Sequence, residues 1–124
     1  MNPKQFLRLA GAVLVLVALL GWVGVLGPTS ESSFFGSAWW FDAAENWAHL
    51  VLGVVALLAA YTLSHGLQKL LTRLVGVLAV LVGLYSLLIS DMLWGANLEN
   101  PLDTLLHLGI GIWALWAAGG KPKQ

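Results

Sequence analysis

The sequence contains no cysteine, which excludes a disulfide framework, a thiolate metal site and thiol redox chemistry. Charged residues are also scarce, at 10% of the chain, whereas a typical soluble domain has about 25%. Basic and acidic residues are equal in number, so the net charge is zero and a nucleic-acid partner is not expected. Phosphate-binding glycine motifs and nucleotide fingerprints are lacking as well. These absences argue against a water-soluble enzyme.

Four long uncharged runs lie between consecutive charged residues, at 9–30, 46–68, 74–90 and 104–120. A membrane-spanning helix needs about 20 apolar residues. The runs therefore predict an all-α, polytopic membrane protein that forms one membrane domain over 1–124. Its transmembrane helices are expected at about 6–26, 43–64, 70–90 and 101–118. A shorter aromatic segment, 32–41, is more typical of a segment at the outer interface of this membrane than of a membrane-spanning helix.

The few charged residues are segregated along the chain. Those near the termini and the second connection are basic: Lys4, Arg8, Lys69, Arg73, Lys121 and Lys123. Those in the first and third connections are acidic: Glu31, Asp42, Glu45, Asp91, Glu99 and Asp103. Because basic flanks of short loops stay in the cytoplasm, we expect a multi-pass protein with both termini cytoplasmic. Trp22, Trp47 and Trp94 are then expected near the outer interface.

Two pairs of segments repeat within the chain. Residues 49–60 and 107–118 are identical at seven of twelve positions, at an offset of 58. Residues 8–20 and 73–85 are identical at seven of thirteen positions, at an offset of 65. We therefore predict an up-down-up-down bundle of four helices, built from two tandem helical hairpins over 6–64 and 70–118.

The repeat extends to the starts of the second and fourth helices. Asp42 and Asn100 are predicted N-cap residues, and an acid follows each of them three positions later, Glu45 or Asp103. Pro101 then falls at the first helical position, which proline favours. Both acids are also favoured by the positive end of the helix dipole.

Glycines mark the predicted ends of the first two helices. Gly21, Gly24 and Gly27 are expected to interrupt the end of the first helix, and the Gly27-Pro28 pair to end it. In the short connection after the second helix, His65 is predicted to be a C-terminal helix residue, with Gly66 as a left-handed stop.

One stripe of small residues follows a histidine on each of two helices. The stripes share the spacing i, i+4, i+7, i+11 and consist of His49, Gly53, Ala56 and Ala60, and of His107, Gly111, Ala114 and Ala118. Small residues let membrane helices approach closely. Both histidines are therefore expected to point into the bundle and not at lipid.

Two histidines at equal depth on diagonal helices suggest one cofactor hypothesis. His49 and His107 would ligate a haem b from its two faces, and Gly53 and Gly111 would give the macrocycle room.

A related hypothesis adds the carboxylates one turn before each histidine. Glu45, Asp103, His49 and His107 would then form a two-histidine, two-carboxylate site for a divalent metal such as zinc. The structural alternative, which we favour, needs no cofactor. In it the acids cap helices, and the histidines hydrogen-bond each other, a neighbouring carbonyl or Asn46.

The motifs E-N-W-A-H-L-x-x-G at 45–53 and N-P-x-D-x-x-L-H-L-x-x-G at 100–111 resemble those of an uncharacterised bacterial family of small integral membrane proteins. The resemblance covers nearly the whole chain and implies a four-helix layout in a bacterial plasma (inner) membrane, with matching Asn/Asp and His positions. It implies no activity. The aromatic residues at 34–41 depart from the family and suggest a docking surface.

The first functional expectation is a non-enzymatic accessory or scaffold subunit that lies in the lipid bilayer and contacts a larger membrane complex or a second copy of itself. Predicted membrane-spanning helices make up nearly the whole chain, and an aromatic loop is typical of an interface with a partner protein. The alternatives are a haem- or divalent-metal-binding protein that uses His49 and His107, and a small oligomeric transporter.

Overall fold

The computed structural model describes residues 1–93, 95–98 and 101–121. Over this part the chain forms four helices, α1 (Pro3–Trp22), α2 (Ala43–Thr62), α3 (His65–Leu88) and α4 (Leu102–Ala118). A short 3-10 turn, Gly36–Ala38, precedes α2, and two strands, β1 (Met92–Leu93) and β2 (Ala96–Asn97), pair antiparallel before α4. The predicted helical fold is therefore confirmed. Predictions on Trp94, Glu99, Asn100 and Lys123 lie outside the described residues.

Three of the helices, α1, α2 and α3, are long and apolar enough to cross a membrane. The fourth, α4, has 17 residues, about 25 Å of helix against an apolar bilayer core of about 30 Å. Large apolar side chains remain exposed along all four helices, among them Leu16, Leu58, Leu81 and Ile112. Such a surface suits contact with lipid, and the fourth span stays a prediction.

Side-chain caps fix where the first two helices begin. α2 starts as predicted, because Asp42 Oδ1 accepts from the Glu45 amide at 2.9 Å and Glu45 Oε1 accepts from the Asp42 amide at 3.5 Å. α1 starts three residues before its predicted start. Asn2 and Gln5 form the same capping box there, and Pro3 occupies the first helical position.

Two predicted boundaries are wrong because local backbone geometry intervenes. α1 ends at Trp22 and not at residue 26, since Gly24 has a φ of +86° that is incompatible with helix. α3 begins at His65, since the Ser64 side chain caps an amide of its first turn. His65 and Gly66 are thus the first turn of α3 and not the end of α2.

The start of α4 is displaced by one residue from the prediction. Pro101 precedes the helix, and its carbonyl oxygen accepts the first helical hydrogen bond, from the Leu105 amide at 2.9 Å. It therefore takes the N-cap position and not the first helical position.

Glycines bring the two helices of each hairpin into backbone contact. A Cβ atom added at Gly53 of α2 would lie 2.8 Å from the carbonyl oxygen of Gly11 of α1. A Cβ atom added at Gly111 of α4 would lie 2.9 Å from the carbonyl oxygen of Gly76 of α3. The alanines of the predicted small-residue stripes are also buried: Ala56, Ala60, Ala114 and Ala118. The expectation of packed small-residue faces is confirmed.

The two hairpins meet mainly through α1, which contacts α3 and α4 as well as α2. Phe6 of α1 packs edge to face on Trp113 of α4, with ring centroids 4.8 Å apart. At the same end, Gln68 of α3 donates to the carbonyl oxygens of Ala59 and Ala60 in the last turn of α2, at 3.2 and 3.0 Å. The Phe6–Trp113 contact thus joins α1 to α4, and the Gln68 bonds join α3 to α2.

Candidate functional site

The four residues of the metal hypothesis all lie at one end of the bundle, which we name the long-loop end because both long connections are there. Glu45 and His49 occupy the first two turns of α2, and Asp103 and His107 those of α4. The two acids are buried and the two histidines are half-buried.

Each long connection crosses to the opposite hairpin. From the α1–α2 connection, Trp39 Nε1 donates to Asp103 Oδ1 of α4 at 3.1 Å. From the α3–α4 connection, β2 contacts α2. The long-loop end is therefore covered by residues that are far away in sequence. Periodicity within a helix does not predict such contacts between a connection and the opposite hairpin.

Both acids are engaged in hydrogen bonds. Glu45 completes the capping box with Asp42, as predicted. Asp103 accepts from Trp39, and it is 1% exposed. A buried carboxyl group needs such donors, because its transfer from water is otherwise costly. The capping role is thus confirmed for Glu45. Asp103 ties the first connection to α4, and its predicted cap partner Asn100 lies outside the described residues.

The two histidines differ in their hydrogen bonding. His107 Nδ1 lies 2.7 Å from the carbonyl oxygen of Asp103. A carbonyl oxygen only accepts, so Nδ1 is the donor in this bond. This bond is the neighbouring-carbonyl alternative predicted for the histidines.

His49 has no such carbonyl partner among the described residues. Its Nδ1 atom is buried and has no hydrogen-bond partner in this part of the chain, and its ring packs edge to face on Phe41 at 5.0 Å. The two histidines therefore have different surroundings.

Asn46 is the residue whose role the sequence did not reveal. It is 0% exposed, and within the described residues neither its Oδ1 nor its Nδ2 atom has a hydrogen-bond partner. Of the three alternatives for the histidines, the bond to this amide is therefore not formed. The amide lies against Gly21 of α1. A Cβ atom added at Gly21 would lie much closer to Asn46 Oδ1 than a van der Waals contact allows. Glycine at position 21 is thus required by the position of the Asn46 amide.

The same place in the second hairpin is occupied by a satisfied polar pair. Thr104 of α4 and Ser86 of α3 are both buried, and their hydroxyl oxygens are 2.7 Å apart. Ser86 also donates to the carbonyl oxygen of Gly83 at 3.0 Å. The two hairpins therefore differ in polar satisfaction although their helices cross alike.

The predicted interfacial segment 32–41 divides into a buried and an exposed part. Ser33 and Phe41 are buried, and Ser33 Oγ donates to the carbonyl oxygen of Trp39 at 2.6 Å. Phe34 and Phe35 remain exposed. The aromatic surface that is available for a partner is thus smaller than the sequence indicated.

The room expected for a haem is filled by helix packing. A Cβ atom added at Gly53 would meet the α1 backbone, and one added at Gly111 would meet the α3 backbone, so neither glycine faces open space. The two glycines therefore do not provide the predicted room for the macrocycle, and we do not propose haem binding.

The metal hypothesis retains few ligands. In residues 1–93, 95–98 and 101–121, no group of three or more histidine, cysteine, aspartate or glutamate side chains is placed to hold a metal ion. Two imidazoles alone do not complete the three or four protein ligands of a typical zinc site.

Comparison of the chain with protein-family models, with curated protein sequences and with solved structures finds no match. Function must therefore be argued from the chain's own residues.

Proposed function

We propose that the chain is a small, non-enzymatic integral membrane protein that serves as an accessory or scaffold subunit of a larger membrane complex. The observation that carries this proposal is an exposed aromatic pair on the first long connection. Phe34 is 83% exposed and Phe35 is 49% exposed, and their rings meet edge to face at 5.3 Å. Clustered aromatic side chains are the usual anchors of protein interfaces.

The backbone around this pair is held in place before any partner binds. The Phe34 amide donates to the carbonyl oxygen of Val25 at 2.7 Å, and the Phe35 amide donates to Ser33 Oγ at 3.2 Å. The Ser33 hydroxyl in turn donates to Trp39. A fixed loop loses little conformational entropy on binding, which favours affinity.

The proposal includes an arrangement in a bacterial plasma membrane. α4 spans with the other helices, the long-loop end lies outside, and both termini are cytoplasmic. The described basic side chains support this orientation, because they all belong to the opposite end: Lys4, Arg8, Lys69, Arg73 and Lys121. The short α4 would span if Lys121 extends to the interface.

The proposed duplication of the hairpin is supported by equivalent glycine contacts. Gly11 and Gly53 meet in the first hairpin, and Gly76 and Gly111 meet in the second. These pairs are related by the same offsets, 65 and 58 residues, that align the sequence segments.

The proposed occupant of the Phe34–Phe35 pair is an apolar or aromatic surface of a second membrane protein, at the outer interface. A photoreactive benzoyl-phenylalanine placed at position 34 in native membranes tests this. We expect one discrete protein adduct, which Phe35→Ser abolishes. The same probe at Tyr61, which is 65% exposed on α2 near the other end, is the control and should label lipid only.

Three results would contradict the proposal. Lipid adducts alone at position 34 would make the pair a membrane anchor, and an adduct of twice the chain's mass would make it a self-association surface. Equal protein labelling from positions 34 and 61 would show no specific docking surface.

A further inference from the structure

We propose that Asn46 and His49 form a binding site for water inside the first hairpin, at the long-loop end. The site begins with the Asn46 amide, which is fully buried and has no hydrogen-bond partner among the described residues at either Oδ1 or Nδ2. Roughly 90% or more of buried polar groups in native proteins have a partner. An amide that has lost water without gaining another partner is costly, and the apolar membrane core supplies none.

A second unpartnered atom lies one helical turn further along the same helix. His49 Nδ1 is buried and has no hydrogen-bond partner in the part of the chain that the structure describes. Residues three apart on a helix are neighbours on its surface, so the imidazole and the Asn46 amide border one region. Phe41, packed on the imidazole, forms part of the cover of that region.

The second hairpin serves as an internal comparison. Thr104 takes the place of Asn46 at the predicted offset, and its hydroxyl bonds to that of Ser86. His107 takes the place of His49, and its Nδ1 bonds to the Asp103 carbonyl oxygen. The unsatisfied groups are therefore not a consequence of the helix crossing, which both hairpins share.

The chemistry of the open atoms selects the class of ligand. Asn46 Nδ2 offers two hydrogens and needs an acceptor, whereas Asn46 Oδ1 needs a donor. A bare cation accepts no hydrogen bond, and a simple anion donates none. Water does both, and it bridges buried polar groups in many proteins. One or two ordered waters therefore fit this site better than a metal ion.

The experiment detects the water directly in the full-length protein in lipid nanodiscs, labelled with ¹⁵N-asparagine. We expect a rotating-frame Overhauser peak between water and the Nδ2 protons of Asn46, which Asn46→Leu assigns by removing it. His49→Phe keeps a ring against Phe41 but lacks nitrogen, and it should weaken the peak at least threefold. The matched control His107→Phe should leave the peak unchanged.

Two outcomes would overturn the inference. One is the absence of a water peak at Asn46 in the unsubstituted protein, a measurement that needs no variant to fold. The other is an equal peak in the His49→Phe and His107→Phe proteins, which would exclude His49 from the site.

Discussion

Gly111→Ala tests whether the close crossing of α3 and α4 holds the second hairpin together. The added Cβ atom would lie 2.5 Å from Val80 Cγ2 and 2.9 Å from both the Val80 amide nitrogen and the Gly76 carbonyl oxygen. Two of these three atoms belong to the α3 backbone. They cannot turn away as a side chain can, so the helices must separate.

The expected size of the effect follows from two opposing contributions. Alanine favours helix over glycine by about 1 kcal/mol. Forcing an extra carbon into a packed contact costs about 3 kcal/mol, at the upper end of the usual range because backbone atoms are involved. The free energy of unfolding should therefore fall by about 2 kcal/mol, a factor of about 30 in the unfolding equilibrium.

Gly109→Ala is the matched control on the same helix, because a Cβ atom added there has no heavy atom within 4 Å. It should leave stability unchanged or raise it by up to about 1 kcal/mol. In the first hairpin, Gly53→Ala should behave like Gly111→Ala, since its Cβ atom meets the Gly11 carbonyl oxygen. Equilibrium unfolding by sodium dodecyl sulfate in mixed micelles measures all three. If Gly111→Ala is as stable as Gly109→Ala, the crossing does not hold the hairpin and the reasoning is refuted.

Two further predictions concern the first long connection. Trp39→Phe removes the Trp39 donor to the buried Asp103 carboxyl group, and it should lower the free energy of unfolding by about 2 kcal/mol. Trp40→Phe is the control and should have little effect on that free energy. Equal effects of the two substitutions would contradict the role of the bond. The pKa of Glu31 is held below its ordinary value of 4.5 by its own backbone amide and then by the Thr29 hydroxyl, so its small contribution to stability is present above pH 4.5 and is lost as the pH falls through the lowered pKa. Thr29→Val should raise that pKa, as measured by carboxyl NMR titration, and an unchanged pKa would exclude the hydroxyl as a cause.

The sequence predicted the existence of the helices better than their limits. Uncharged runs indicate which residues can lie in the apolar part of a membrane, and they predicted that the third helix starts after Lys69. The backbone begins that helix at His65, because Ser64 supplies a side-chain acceptor. At the N-terminus, Asn2 and Gln5 carried an equally readable cap signal. Both errors arose because hydropathy indicates whether a helix lies in apolar or aqueous surroundings. It carries no information on the hydrogen bonds that determine where the helix begins.

The candidate site was predicted in its location but not in its bonds. The repeat placed His49 and His107 at one depth, and helical spacing placed an acid beside each. The sequence did not reveal that Trp39 donates a hydrogen bond to Asp103, which lies 64 residues away in the chain. Asn46 was only one of three possible partners for the histidines, and its amide lies against Gly21 instead. Such choices depend on which helix faces which side chain, and this is decided by tertiary packing.

The contrast between the hairpins restricts where a specific function can reside. Both have a close glycine contact near mid-helix. At the long-loop end one pair of facing residues differs, Gly21 with Asn46 in the first hairpin and Ser86 with Thr104 in the second. The first pair places a large amide on a glycine, and the second places two small hydroxyl groups together. The hydroxyl pair satisfies its own hydrogen bonds and stabilises the bundle, whereas the amide leaves donors and acceptors for a ligand. Under the proposed duplication, the second hairpin is therefore the structural copy, and the first is the copy that has polar groups to offer.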